Sequence, residues 1–462
     1  MAAFFKISKF FLYLAPLAVI IVTPSTLFPF IVGKYVFFKI AVELALLFFV
    51  WGWATSKFSI FSPRTDSLPA DNFQFSIKQP LAIAVSAFVF IFVLAGFAGI
   101  NPGASFWSNF ERGEGSFLLL HFYVYFLLLL RFMKNENDWR RFFTAVMVSG
   151  SLAVFYGVAA GLGISGFAGV SGFCERFAGS LGNPAYLGTF LIFMIFYAAY
   201  LLVSGDWRKK NWRGWKAPAL IFLIIYFFVF LLFSQTRGAL LGLGTGIIAA
   251  LFYLIAVLPS RKWRWILFGA AAALLVAGAV GVYYRQYIDL APWCAGGGGN
   301  RILDVSFKGE TINTRFALWR QSIEMWKERP ILGWGPENFA AAFEKYYNPV
   351  HTVWFDRAHN IFFDYLVMTG GLGLLSFISI FVVYYWKFFL RNFKSQITNN
   401  KQIPNSKSEI QNNIINALLF ALPIAYLVQG LVLFDVLPIY INLFLFLAFS
   451  VYKFKLQAPN NK

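Results

Sequence analysis

Apolar residues in this chain neither alternate with polar ones nor form isolated amphipathic stripes. They run nearly unbroken for a bilayer's width at a time, and polar clusters separate the runs. Such runs predict helices that are apolar on every side, which suits a membrane interior. A hydrocarbon core roughly 30 Å thick takes about 20 residues per helical span. About twelve stretches qualify, near 10–24, 35–55, 79–99, 116–131, 142–162, 185–204, 217–234, 238–258, 265–284, 360–386, 414–433 and 436–452. The predicted fold class is all-α: a polytopic integral membrane protein of about twelve transmembrane helices.

The polar clusters carry an orientation signal. "RFMKNENDWRR" (131–141), "DWRKKNWRGWK" (206–216), "SRKWRW" (260–265) and the linker 387–413 are all basic and recur on one side if the chain starts in the cytoplasm. In this register 25 of the 39 Lys and Arg are cytoplasmic, as short inner loops require. Nine of the others lie in the long segment 285–358, and long segments cross a membrane largely regardless of charge. Lys6 and Lys9 precede the first run as in a signal peptide, but no small-residue cleavage site follows and further spans come directly after. The first helix is therefore read as retained.

Composition agrees: 59% hydrophobic residues, 13% charged residues and a mean hydropathy of +0.65 exclude an ordinary soluble domain. The net charge of +19 needs no nucleic acid, since basic inner loops lie beside anionic membrane lipids. Three regions follow: 1–284 with nine spans, an extracytoplasmic (periplasmic) loop domain 285–358, and 359–462 with three spans and the cytoplasmic linker 387–413. That linker is polar, short of aromatics and expected to be disordered.

Within 285–358, "APWCAGGGGN" is a flexible glycine run, and "TRFALWRQSIEMWKERP" places Phe316, Trp319, Ile323 and Trp326 at helical spacing. This stripe is expected to pack toward the membrane-facing core. Pro330 ends the helix, and "GWGPENFAAAFEKYY" adds a turn and a second short helix. Cys174 and Cys294 both fall outside in this register, where oxidising conditions permit a disulfide. No internal repeat is present.

Three residues on the outer side carry candidate chemistry. Arg237, in "FSQTRGALLGLGTG", stands between two apolar spans with almost no loop, and a charge at that depth is costly unless paired or functional. Arg176 precedes a helix start at Gly182, Asn183 and Pro184, whose backbone N–H groups suit an anion. His359, in "DRAHNIFFDYLVMTGGLG", stands where a polar loop becomes an apolar helix. Two guanidinium forks and one group titrating near neutral pH make a site for transfer from a pyrophosphate donor. The structural alternatives are snorkelling by Arg237, pairing of Arg176 with Glu175 or Glu111, and a merely positioning His359. Glu324 and Glu328 read as solvated surface, Glu43 as a local pair with Lys39. The outer loops hold no D-x-D pair and no His pair at ligand spacing, so neither metal nor cofactor is expected.

Three stretches, "RFAGSLGNPAYLGTF", "SQTRGALLG" and "GWGPENF…DRAHNIFFDYLVMTGGLGLL", together resemble the O-antigen ligase and polymerase superfamily, over roughly residues 170 to 380. The resemblance implies a metal-independent glycosyltransferase of the C-type membrane fold in the cytoplasmic (inner) membrane. Its donor would be an oligosaccharide on undecaprenyl pyrophosphate, and its acceptor lipid A core, another glycan or a protein. Carried onto this chain, Arg176 and Arg237 hold the pyrophosphate and His359 acts on the acceptor hydroxyl. Arg315 matches a less constant family arginine, while Gln235 and Asn360 flank the motifs as possible support. Two positions depart from the family's common pattern: Met368 where glutamate is frequent, and Ala185 where asparagine often follows Asn-Pro. A secondary transporter is the alternative from another class; it calls for inverted repeats and ionisable groups at the bilayer midplane, whereas the notable charges here gather at one interface.

Overall fold

The computed structural model describes residues 2–58, 77–109, 111–169, 176–205, 210, 212–284, 310–348, 353–399 and 407–455. Among these there are helices and no strands. In chain order they are α1 (Ala2–Leu14, continued by a 3-10 segment Ala15–Ile20), α2 (Val32–Phe58), α3 (Pro80–Ala98), α4 (Pro102–Trp107), α5 (Ser116–Phe132), α6 (Glu136–Gly161), α7 (Pro184–Val203), α8 (Ala217–Phe233), α9 (Arg237–Val257), α10 (Arg261–Tyr283), α11 (Glu310–Glu328), α12 (Phe339–Lys345), α13 (Ile361–Asn399), α14 (Lys407–Gly430) and α15 (Leu437–Lys455). Eleven helical stretches are long and apolar enough to cross a membrane. The twelfth predicted span is α5, whose 17 residues reach about 25 Å at 1.5 Å per residue. The chain is a multi-pass membrane protein.

Local chemistry sets several helix starts. Proline stands at the first helical position of α3, α4 and α7, where a missing N–H costs nothing. Asn101, Asn135 and Asn183 cap α4, α6 and α7 through their side chains. Packing then sorts helices that all look alike in hydropathy. The apolar window of α15 is 89% buried, against 6% for α10, so α15 is the axis of the bundle and α10 its rim. Along α9, Gly238, Gly242 and Gly246 form a smooth seam against α14. A Cβ on Gly242 would stand 2.6 Å from the carbonyl oxygen of Ala425, so the backbones meet at a distance only small residues permit.

Helix α13 is broken. Gly370 has φ 65° and ψ −169°, and the "GWGP" turn fills the gap this opens. Trp334 N–H donates to Val367 O (2.9 Å), Gly335 N–H to Met368 O (2.9 Å), and Gly371 N–H to Pro330 O (2.8 Å). Polar backbone freed by the break is thereby satisfied away from lipid.

Some expectations change. The buried face of α11 is Leu318, Gln321, Ser322 and Met325, while Phe316 and Ile323 are exposed. The helix packs on Trp334, Phe339, Phe343 and Ala358 and also on Val367 and Met368 of α13, with Trp319 stacked on Phe363 of that helix. Part of the expected stripe therefore faces the membrane helices, while Phe316 and Ile323 do not. Helicity runs through Asn399 and resumes at Lys407, so much of the linker expected at 387–413 extends the flanking helices. Glu43 Oε1 lies 2.9 Å from His121 Nε2, while the Lys39 ammonium lies over the Tyr35 ring (4.6 Å) and still feels the Glu43 charge. Cys174, Glu175, Cys294 and the glycine run fall outside the described residues.

Candidate functional site

One end of the bundle collects the loop before α5, the turn 234–236, the segment leading into α13 and the α14–α15 connection. The "DRAHN" turn there is held at every residue. Asp356 accepts Arg112 Nε (2.7 Å), and Arg357 pairs with Glu337 and, at 3.5 Å, with Glu114. Ala358 N–H donates to Asp364 Oδ1 (2.7 Å) and its carbonyl accepts Trp319 Nε1 (3.0 Å). Asn360 Oδ1 accepts Phe362 N–H (2.9 Å) and so caps α13. His359 itself has φ 53°, a left-handed conformation that non-glycine residues keep only when their surroundings enforce it.

The imidazole geometry has a chemical consequence. His359 Nδ1 lies 3.2 Å from the Arg357 carbonyl oxygen. A carbonyl only accepts, so Nδ1 carries the proton and the Nε2 lone pair of the neutral ring stays available. Phe355 and Phe434 meet the ring edge-on, with centroids at 5.7 and 5.2 Å. Burial lowers the His359 pKa from its ordinary value, partly offset by the Arg357 carbonyl, while Arg315 pulls it down and Asp356 pulls it up.

Arg315 links this turn to Arg237. Arg315, on α11, is also depressed, first by burial and then by the like charge of Arg237. Arg315 thus lies within electrostatic reach of both Arg237 and His359. Arg176 enters through the backbone: its neighbour Phe177 donates N–H to Phe233 O (3.0 Å), directly before the turn that leads to Arg237. Thr236 Oγ1 donates to Pro184 O (3.0 Å), which joins that turn to the start of α7. Like charges such as Arg315 and Arg237 within electrostatic reach of one another suit an anionic ligand.

Other expectations are revised by the geometry. The α7 start is a weaker anion site than its sequence suggests, because Pro184 has no N–H and Asn183 takes Ala185 N–H (2.8 Å) and Leu187 N–H (3.1 Å). Gln235 is buried in a left-handed turn (φ 49°) that closes α8 through its N–H to Leu232 O (2.9 Å). Gln235 and Asn360 both shape local backbone here, Gln235 through its left-handed turn and Asn360 as the cap of α13. Met368, the departure from the family pattern, touches Arg357 through sulfur; the acids paired with that arginine are Glu337 and Glu114 instead.

Sequence reading missed Arg112, Glu114, Glu337, Arg357 and Asp435. They come from separate stretches of the chain, 112–114, 337–357 and 435, that meet only in the fold. Two small cavities flank Glu114, one lined by Glu337, Arg357, Asp364 and Asp435, the other by Lys34, Arg112 and Tyr186. Burial pushes the Glu114 carboxyl up to about 8 and Asp435 up to about 7. Arg357 goes the other way: burial opposes its charge, but Glu337 and Glu114 outweigh that and hold it well above the usual guanidinium value. An available signal was the density of charge in "FERGEG" and "GPENF…DRAHN" within so apolar a chain.

Residues 219–378 match the family described as O-antigen ligase. Over 205 residues the chain is 25% identical to a general O-oligosaccharyltransferase of Acinetobacter baylyi, an alignment covering 43% of this chain and 33% of that protein. Over 215 residues it is 29% identical to the exopolysaccharide production protein ExoQ of Rhizobium meliloti, covering 43% of each. The chain thus spans less than half the length of either relative.

Proposed function

We propose, for a multi-pass membrane protein whose residues 219–378 match the O-antigen ligase family, that it transfers an oligosaccharide from undecaprenyl pyrophosphate to an acceptor hydroxyl without a metal. In this reading the reaction runs at the outer face of the cytoplasmic membrane, on the side of 285–358. His359 Nε2 takes the acceptor's proton. Arg176, Arg237 and Arg315 stabilise charge on the departing lipid pyrophosphate.

The observation that carries this reading is the pairing of an open Nε2, left by the Nδ1 contact to the Arg357 carbonyl, with an arginine pair, Arg315 and Arg237, whose like charges act on each other. A proton acceptor beside concentrated positive charge suits attack by an alcohol with loss of a pyrophosphate. Lipid A core, a growing glycan and a protein hydroxyl are the candidate acceptors. The relatives, named as an O-oligosaccharyltransferase and an exopolysaccharide production protein, favour keeping the protein and glycan acceptors beside the ligase reading. The test is transfer in vitro from a labelled undecaprenyl-pyrophosphate glycan to each acceptor class by the purified protein. Product with one class names the activity; substrate transport without product defeats the proposal.

A further inference from the structure

The brace on the carboxylate three residues before His359 has no role in the scheme above. Arg112 places both Nε (2.7 Å) and Nη2 (2.5 Å) on the same oxygen of Asp356, Oδ2. Among the described residues Oδ1 takes no hydrogen bond. Arg112 is itself held, donating from Nη1 to Tyr186 Oη (3.1 Å) and lying 4.9 Å over the Phe434 ring, the same ring whose neighbour is His359. A fork closed on one oxygen stops the carboxylate from rotating and leaves the other oxygen uncommitted.

The charges facing His359 make that carboxylate consequential. Arg315 comes from α11, Arg112 from the loop before α5, and Arg357 from the turn itself. Arg357 is compensated by Glu337 and Glu114, and Asp364 spends Oδ1 on Ala358 N–H. Arg315 and Arg112 repel an imidazolium at this position, and Asp356 attracts it.

We propose that Asp356, braced by Arg112, is a positioning residue that acts through His359: its carboxylate balances the imidazolium formed when His359 accepts the acceptor's proton. The inference rests on the transfer reading above. In the step, the acceptor O–H bond breaks and its proton goes to Nε2. The oxygen forms a bond to the anomeric carbon as the anomeric C–O bond to pyrophosphate breaks, and that electron pair leaves with the lipid pyrophosphate. Asp356 takes no proton; it stabilises the charge that appears beside it.

The test combines a titration with kinetics on the full-length protein in detergent. The chain has three histidines, so ring-labelled histidine gives few NMR signals and His359→Gln assigns the relevant one. In Asp356→Asn the His359 titration moves to lower pH, and in Arg315→Gln it moves to higher pH. Transfer by Asp356→Asn loses about tenfold or more in kcat, its acid limb moves to lower pH, and KM for the donor is unchanged. Asp356→Glu, which keeps the charge, restores the titration and part of kcat; a merely structural role would make it as harmful as Asn. Should Asp356→Asn not fold, Arg112→Lys keeps the charge but loses the fork, and near-normal kcat in that variant overturns the inference. Loss of transfer in His359→Gln together with a wild-type titration and kcat in Asp356→Asn defeats this inference alone. Transfer that survives His359→Gln defeats the functional reading and this inference together.

Discussion

At the scale of single residues the proposed transfer turns on protonation and on planar donors. A base must be neutral to accept a proton, and burial lowers the His359 pKa. Activity should therefore persist somewhat below the usual imidazole value of about 6.5 and fall at more acidic pH. The opposite slope, with transfer rising as pH falls, would assign the ring to phosphate binding as a cation. His359→Gln is expected to cost about 10²–10⁴-fold in kcat while sparing donor binding, measured by separate binding and turnover assays. Arg237→Lys should be nearly as damaging as Arg237→Ala, because a point charge does not replace a fork that grips two phosphate oxygens. Near-normal transfer by the Lys variant would instead indicate snorkelling. Glu337→Ala leaves Arg357 buried without its nearest carboxylate. Removing one partner of a buried pair typically costs about 3–5 kcal/mol, so thermal unfolding in detergent should show a large loss of stability.

At the scale of elements, the break in α13 and the "GWGP" turn form one interlocked unit that presents Glu337 to Arg357. Gly333 and Gly370 both have positive φ (70° and 65°) and both lie against backbone of the other strand of this contact, Gly333 against Val367 O and Gly370 against Ile331 O. A Cβ at either position meets backbone, which cannot yield as a flexible side chain can. A positive φ of this kind alone costs an L-residue about 1–3 kcal/mol. Gly370→Ala and Gly333→Ala are therefore expected to lower thermal stability and to reduce transfer, with no direct contact to substrate. An unchanged melting temperature in Gly370→Ala would show that the interlock is loose. Asn360→Ala removes the α13 cap, a smaller loss of about 1 kcal/mol, and should be the milder of these variants in the same assay.

At the scale of the whole molecule, the alternation of basic loops predicts that 285–358 faces outward and 387–413 inward. Once Cys174 and Cys294 are replaced, Ser306→Cys should react with an impermeant thiol reagent in intact cells and Ser406→Cys should not; labelling at 406 would overturn the orientation. The number and place of the apolar helices were legible in the sequence because a bilayer demands one simple property, an unbroken apolar run of set length. The motifs around Arg176, Arg237 and His359 were legible as well, since arginine and histidine stand out against so apolar a chain. The partners of these residues were not. Arg112 meets Asp356, and Arg357 meets Glu114, across more than two hundred positions of chain, and no local pattern encodes such a meeting. Nor did hydropathy reveal which helix is the axis, for α15 and α10 are both simply apolar, or which face of α11 is buried. Lipid and protein interior are equally apolar surroundings, so hydropathy places a helix in the membrane without choosing its neighbours. The choice falls to close packing, glycine seams such as that of α9, and buried charges that must find one another.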